Sequence, residues 1–93
     1  MNGKRPNAAE KAWLDKITSL GCCVCYKDLG VFSPGEVHHT NGGSNHLETI
    51  CLCPRHHRIP GKSYETLHGN RSRFIEKHGA EEELLEYTRE VIG

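Results

Sequence analysis

Three features of the sequence predict a small α+β fold organised by a metal. They are apolar residues at helical spacing near both ends, two short β-prone runs around a Gly/Asn-rich loop, and two cysteine-rich knuckles flanking those runs. A chain of 93 residues reads as one domain, 1–93, and a domain of that size buries a modest share of its surface. Its hydrophobic fraction is 35%, with one Trp, two Phe and three Tyr, so a staple is expected. Five Cys and seven His offer one.

Taken in order, residues 1–6 read as a short flexible leader, and Asn7 with Glu10 resembles a capping box opening a helix. Ala9, Ala12, Trp13, Lys16, Ile17 and Leu20 follow at helical spacing, with the Lys16 stem along the edge of the stripe, and Gly21 ends the run. From Cys22 to Thr40 the chain reads as a knuckle and hairpin, with turns at Cys22–Cys25 and Ser33-Pro34-Gly35 and a strand at Glu36-Val37-His38-His39. After the loop Asn41–Asn45, Thr49-Ile50-Cys51-Leu52 is the return strand. Pro54 then opens a short helix that Pro60 and Gly61 stop. Asn70 caps a helix reaching Lys77 or His78, with Gly79 beyond its end. A last helix, from about Ala80 to Ile92, carries the stripe Leu84, Leu85, Thr88, Val91 and Ile92. The architecture expected is a ββα centre with helices on either side.

Formal net charge is zero, which argues against a uniformly basic nucleic-acid binder. The charge is nonetheless divided: residues 1–78 hold 11 Lys/Arg against 7 Asp/Glu, and residues 79–93 hold 1 Arg against 5 Glu. A basic body can face an anionic partner while the acidic C-terminal helix points away. Equally, Glu81, Glu82 and Glu83 suit the positive end of a helix dipole. An odd cysteine count, no apolar signal segment and no membrane-length apolar run argue for a reducing, cytoplasmic setting, where clustered Cys reads as metal-binding.

The first chemical constellation is Cys22-x2-Cys25 with Cys53-x2-His56. Structural Zn²⁺ takes four soft or borderline ligands in a tetrahedron, and two-residue spacers let each turn present a pair. Cys23 and Cys51 lie beside these pairs as alternative ligands or as small buried hydrophobes. The second constellation is His38-His39 at a strand end and His57 on the short helix. Neighbours on a strand diverge to opposite faces and neighbours on a helix lie about 100° apart. His56 can therefore serve the zinc while His57 addresses another site. Either His38 or His39 can hold a second metal while the other acts on a water.

Together these segments resemble the HNH, or ββα-metal (His-Me finger), nucleases, and within them the phage recombination-enhancement-function (Ref) nucleases. The similarity runs from Leu20-Gly21-Cys22 and Cys25 through Glu36-Val37-His38-His39 and Thr49-Ile50-x-Leu52-Cys53-x2-His56-His57. It continues through Leu67-His68-Gly69 to Phe74 and His78-Gly79. The double histidine and the Cys-x2-His-His segment are specific when they occur together. The resemblance implies a metal-dependent endonuclease that hydrolyses DNA phosphodiester bonds, phage or prophage encoded and linked to recombination or DNA processing. It implies a catalytic metal on His38 and His57 with His39 as general base, and it brings in His68 as a third ligand or a donor to the scissile phosphate. DNA, a recombinase or other phage protein, and a bacterial cytoplasm are the implied partners and setting. Glu48 stands where the family's central Asn is expected, and a carboxylate there can brace the loop or orient a histidine. Larger Ref proteins carry a long basic N-terminal segment, whereas Lys4 and Arg5 precede Pro6 here. His46 and His78 read as surface residues.

Phosphodiester hydrolysis needs an activated nucleophile, neutralised charge on the phosphorane and help for the departing oxygen. A neutral His39 supplies the first, and Mg²⁺ or another divalent ion the rest; imidazole ligands also suit Mn²⁺, Ni²⁺, Co²⁺ or Zn²⁺. Arg55, Arg58, Lys62, Arg71 and Arg73 are candidates to hold phosphates on either side of the cleaved bond. The main alternative is a non-catalytic zinc module that binds DNA or a protein, which leaves His38, His39, His57 and His68 unexplained. An RNase of similar chemistry carries no distinguishing residue signature.

Overall fold

A computed structural model describes residues 5–57, 66–67 and 71–92. Helix α1, Ala8–Leu20, opens on the expected capping box: the Asn7 side chain accepts from Glu10 N and the Glu10 carboxylate from Asn7 N, each at 2.8 Å. Most of the leader lies outside the described residues. Gly21 ends the helix at φ +82, and a Cβ there would meet Ser33 O at 2.7 Å. Only glycine lets the chain turn back so closely, with Cys22 N donating to Ser33 O at 2.8 Å.

Within the stretch expected as a knuckle and hairpin, Cys23–Leu29 forms a second helix, α2, ahead of the expected strand. Cys22 caps it, its Sγ accepting from Cys25 N at 3.5 Å, so the Cys-x2-Cys turn is also a helical first turn. Cys23 and Val24 face the core and hold that turn inward. Burial of this short apolar run outweighs the turn signals, and the helix stops at Gly30, φ +66.

Strands β1, Glu36–His39, and β2, Thr49–Leu52, pair antiparallel with His38 opposite Ile50 and His39 opposite Thr49. β2 is buried along its whole length. Trp13 Nε1 donates to Thr49 Oγ1 at 3.0 Å, which fixes α1 against the sheet. The loop between the strands is braced mainly by main chain. Glu48 O accepts from Thr40 N and Oγ1 at 3.0 and 2.9 Å, and Glu48 N donates to Asn45 O at 3.0 Å. Asn45 Oδ1 adds a bond from Leu47 N at 2.9 Å.

Helix α3, Pro54–His57, starts at its proline as expected, with the N–H groups of His56 and His57 both on Cys53 O at 2.9 Å. The stops expected at Pro60 and Gly61 and the cap expected at Asn70 lie outside the described residues. Helix α4, Arg71–His78, gives way to Gly79 at φ +103, and α5 covers Glu81–Ile92. α5 buries Leu84, Leu85 and Thr88, while Val91 is exposed. The α1 stripe is narrower than its spacing suggests: Ile17 is buried and Trp13 half-buried, but Ala9 and Ala12 are exposed. The core unites Val24, Ile50, Leu52, Leu67, Phe74, Leu84 and Leu85 with the cysteines of the knuckles. Among the described residues no helix is long and apolar enough to cross a membrane.

Candidate metal centres

Two helix starts converge on one point. Cys22 and Cys25 bring the first turn of α2, and Cys53 and His56 bring α3, so that four ligand atoms lie within 4.8 Å of one another. The Cys25 and Cys53 sulfurs are 3.8 Å apart, and His56 Nδ1 lies 3.5, 3.7 and 3.2 Å from the sulfurs of Cys22, Cys25 and Cys53. Zn–S bonds of about 2.3 Å at a tetrahedral angle place sulfurs about 3.8 Å apart, and an imidazole nitrogen slightly closer. The Cys3His group can therefore hold a metal such as zinc. Burial pushes the Cys22 and Cys25 thiols up, so a bound metal displaces protons from them. Cys23 and Cys51 stay outside the group; burial raises them to about 12 and about 11, which keeps them as neutral thiols in the core.

His78, expected at the surface, is only 6% exposed. Its ring packs edge-on against that of His56 at 5.1 Å, and its Nδ1 is 3.3 Å from Asp28 Oδ2. It joins α4 to α2 beside the cluster. Spacing gives no warning of this, because the contact depends on how α4 folds back.

The second centre grows from the same short helix. One residue on from His56, the His57 ring turns toward β1, where its Nε2 lies 3.2 Å from His38 Nδ1. The outer nitrogens are both taken by carboxylates: His57 Nδ1 meets Glu36 Oε1 at 2.9 Å, and His38 Nε2 meets Glu81 Oε1 at 2.8 Å. An ionised carboxylate only accepts, so each ring must donate outward. With both rings donating outward, Nδ1 of His38 and Nε2 of His57 are left facing each other. A pair of nitrogens so placed could hold a cation, since ligand nitrogens about 2.1 Å from an ion stand about 3.0 Å apart at a right angle and about 3.4 Å at a tetrahedral one. The observed gap falls between. Carboxylates behind metal-binding histidines are the usual means of fixing tautomer and orientation.

His39, the other member of the doublet, points to the opposite side, as alternation requires. Its Nε2 lies 3.1 Å from Nδ1 of His46, a half-buried residue that was expected to be free at the surface. Burial first, then the neighbouring His46, lower the pKa of His39 and favour its neutral form. Of the expected phosphate contacts, Arg55, Arg71 and Arg73 are exposed, and Arg71 also pairs with Glu81. Arg58, Lys62 and His68 lie outside the described residues.

Three participants escape sequence reasoning. Glu36 could have been found, since it stands two residues before His38 on the same strand face. His46 and Glu81 carry no local signal. The acidic C-terminal helix does not simply point away: Glu82, Glu83 and Glu86 are exposed, but Glu81 is 1% exposed and reaches the centre.

No curated protein matches this chain. The family described as recombination enhancement, RecA-dependent nuclease, matches over residues 6–93, which takes in both candidate metal centres and every α-helix among the described residues. By that match the chain belongs to the recombination-enhancement, RecA-dependent nuclease family.

Proposed function

We propose that this protein is a metal-dependent DNA endonuclease of the HNH, or ββα-metal, type, in which β1, β2 and α3 form the catalytic unit. Cys22, Cys25, Cys53 and His56 hold a structural zinc that ties α2 to α3. His38 Nδ1 and His57 Nε2 hold the catalytic divalent cation, and the 3.2 Å between these nitrogens, with a carboxylate behind each ring, is the observation that carries this reading. When bound, that ion supplies positive charge against the phosphorane and the departing oxygen.

The chain's own residues do the rest. His39 takes the proton from the attacking water through Nδ1, which has no protein partner among the described residues, while its Nε2 is directed at His46. Arg55 and Arg73, exposed on α3 and α4, hold the DNA backbone on either side, with Arg58, Lys62 and His68 as further contacts. The RecA dependence in the family's description supplies the expected partner, a RecA-coated strand.

Nicking of supercoiled plasmid tests the reading, with Mg²⁺ or Mn²⁺, with and without RecA filaments, on the parent and on His39→Ala. Metal-dependent nicking that the substitution abolishes, with DNA binding unchanged, supports it. A parent that never cuts, with either ion and with or without RecA, hands the protein to the non-catalytic zinc-module reading.

A further inference from the structure

We infer that Glu81, held by Arg71, is a positioning residue that fixes His38 with Nδ1 turned toward His57, making the C-terminal helix part of the second metal centre. The inference rests on the proposed function only in its choice of occupant.

Three glutamates open α5, and only one of them goes inward. Glu83 does the ordinary work of a helix start: its Oε1 accepts from Ala80 N at 2.8 Å. Glu82 and Glu83 remain exposed. Glu81 is therefore not needed to cap the helix, and burying a carboxylate is costly unless charge and hydrogen bonds compensate. Compensation comes from two directions. Oε1 lies 2.8 Å from His38 Nε2, and Oε2 pairs with the Arg71 guanidinium, which is itself half exposed at the start of α4. With Arg71 on Oε2, Oε1 is the oxygen that meets His38 and accepts from its Nε2, which leaves Nδ1 as the ligand atom turned toward His57. The negative charge behind the ring also makes Nδ1 a better ligand. Arg71 thus acts within the protein, whatever phosphate contact its exposed side also makes.

Glu81→Gln tests this with little change of shape. A glutamine side chain has one acceptor oxygen for two donors, Arg71 and His38, so His38 loses its fixed tautomer. Mn²⁺ affinity of the zinc-loaded variant should fall about 10- to 100-fold, the range typical when such a partner is removed. Nitrogen-15 spectra of the zinc-loaded, Mn²⁺-free protein should show His38 protonated at Nε2 alone in the parent and as a mixture in the variant. Zinc content should stay the same. Parental Mn²⁺ affinity together with an unchanged His38 tautomer would overturn the inference and leave Glu81 a structural anchor for α5. If the parent binds Mn²⁺ but cuts no DNA, the nuclease reading fails while the affinity comparison still decides Glu81. If the parent takes up no Mn²⁺, the tautomer decides alone: a mixture in the variant supports positioning, and no change overturns it.

Discussion

Adjacent histidines on one helical turn face two side-chain clusters of opposite design. His56 completes a group of four candidate ligands, three of them buried cysteines, enough to fill the coordination of a tetrahedral ion. His57 faces a single further histidine, and both are braced from behind by carboxylates. A tetrahedral site closed by protein suits a structural ion, and a site with open positions suits one that must meet water and substrate. α3, described over Pro54–His57, links the two: whatever anchors His56 also sets the position of His57.

The comparison breaks most violently at the closed side. Cys53→Ser should remove the zinc and unfold the protein, because structural zinc contributes on the order of 10 kcal/mol or more in small domains. Metal content and circular dichroism check this; a zinc-free variant with parental melting would contradict it. Acid should loosen the same site more gently. Burial raises the Cys22 and Cys25 thiols, so protons compete with the metal, and zinc affinity should fall as pH falls and strengthen as it rises. Competition with a chromophoric chelator across pH measures it.

On the open side the fold should survive. His39→Ala should keep zinc, helicity and DNA affinity while cleavage falls about 10²- to 10⁴-fold, the usual loss with a positioned base. Cleavage close to the parental rate would move the base elsewhere. The smallest effect belongs to Asp28→Asn beside the closed centre. The Asp28 side chain is only 43% exposed but stays in contact with water, so weakening its pair with His78 should change stability by no more than about 1 kcal/mol, read by thermal melting, and should leave metal binding unchanged.

The closed centre was far more legible in the sequence than the open one, for a physical reason. Its ligands come as two local pairs, Cys22-x2-Cys25 and Cys53-x2-His56, and two-residue spacing is itself the geometry of a metal-binding turn. The capping box at Asn7 and the start of α3 at Pro54 were readable likewise, since each is a local rule satisfied locally. The second centre is assembled over distance. His38 and Glu81 are 43 residues apart, and three glutamates in a row give no sign of which one turns inward. α2 was missed because a turn and the first turn of a helix share their opening residues, and only the burial of Cys23 and Val24 separates them.

The sharpest test of the two-centre account is a Mn²⁺ titration of dialysed, zinc-loaded protein, followed by electron paramagnetic resonance, on the parent and on His57→Ala. The account predicts one exchangeable Mn²⁺ per chain in the parent and its loss in the variant, with zinc retained in both. A parent that binds no Mn²⁺, or a variant that binds it as tightly as the parent, would contradict it.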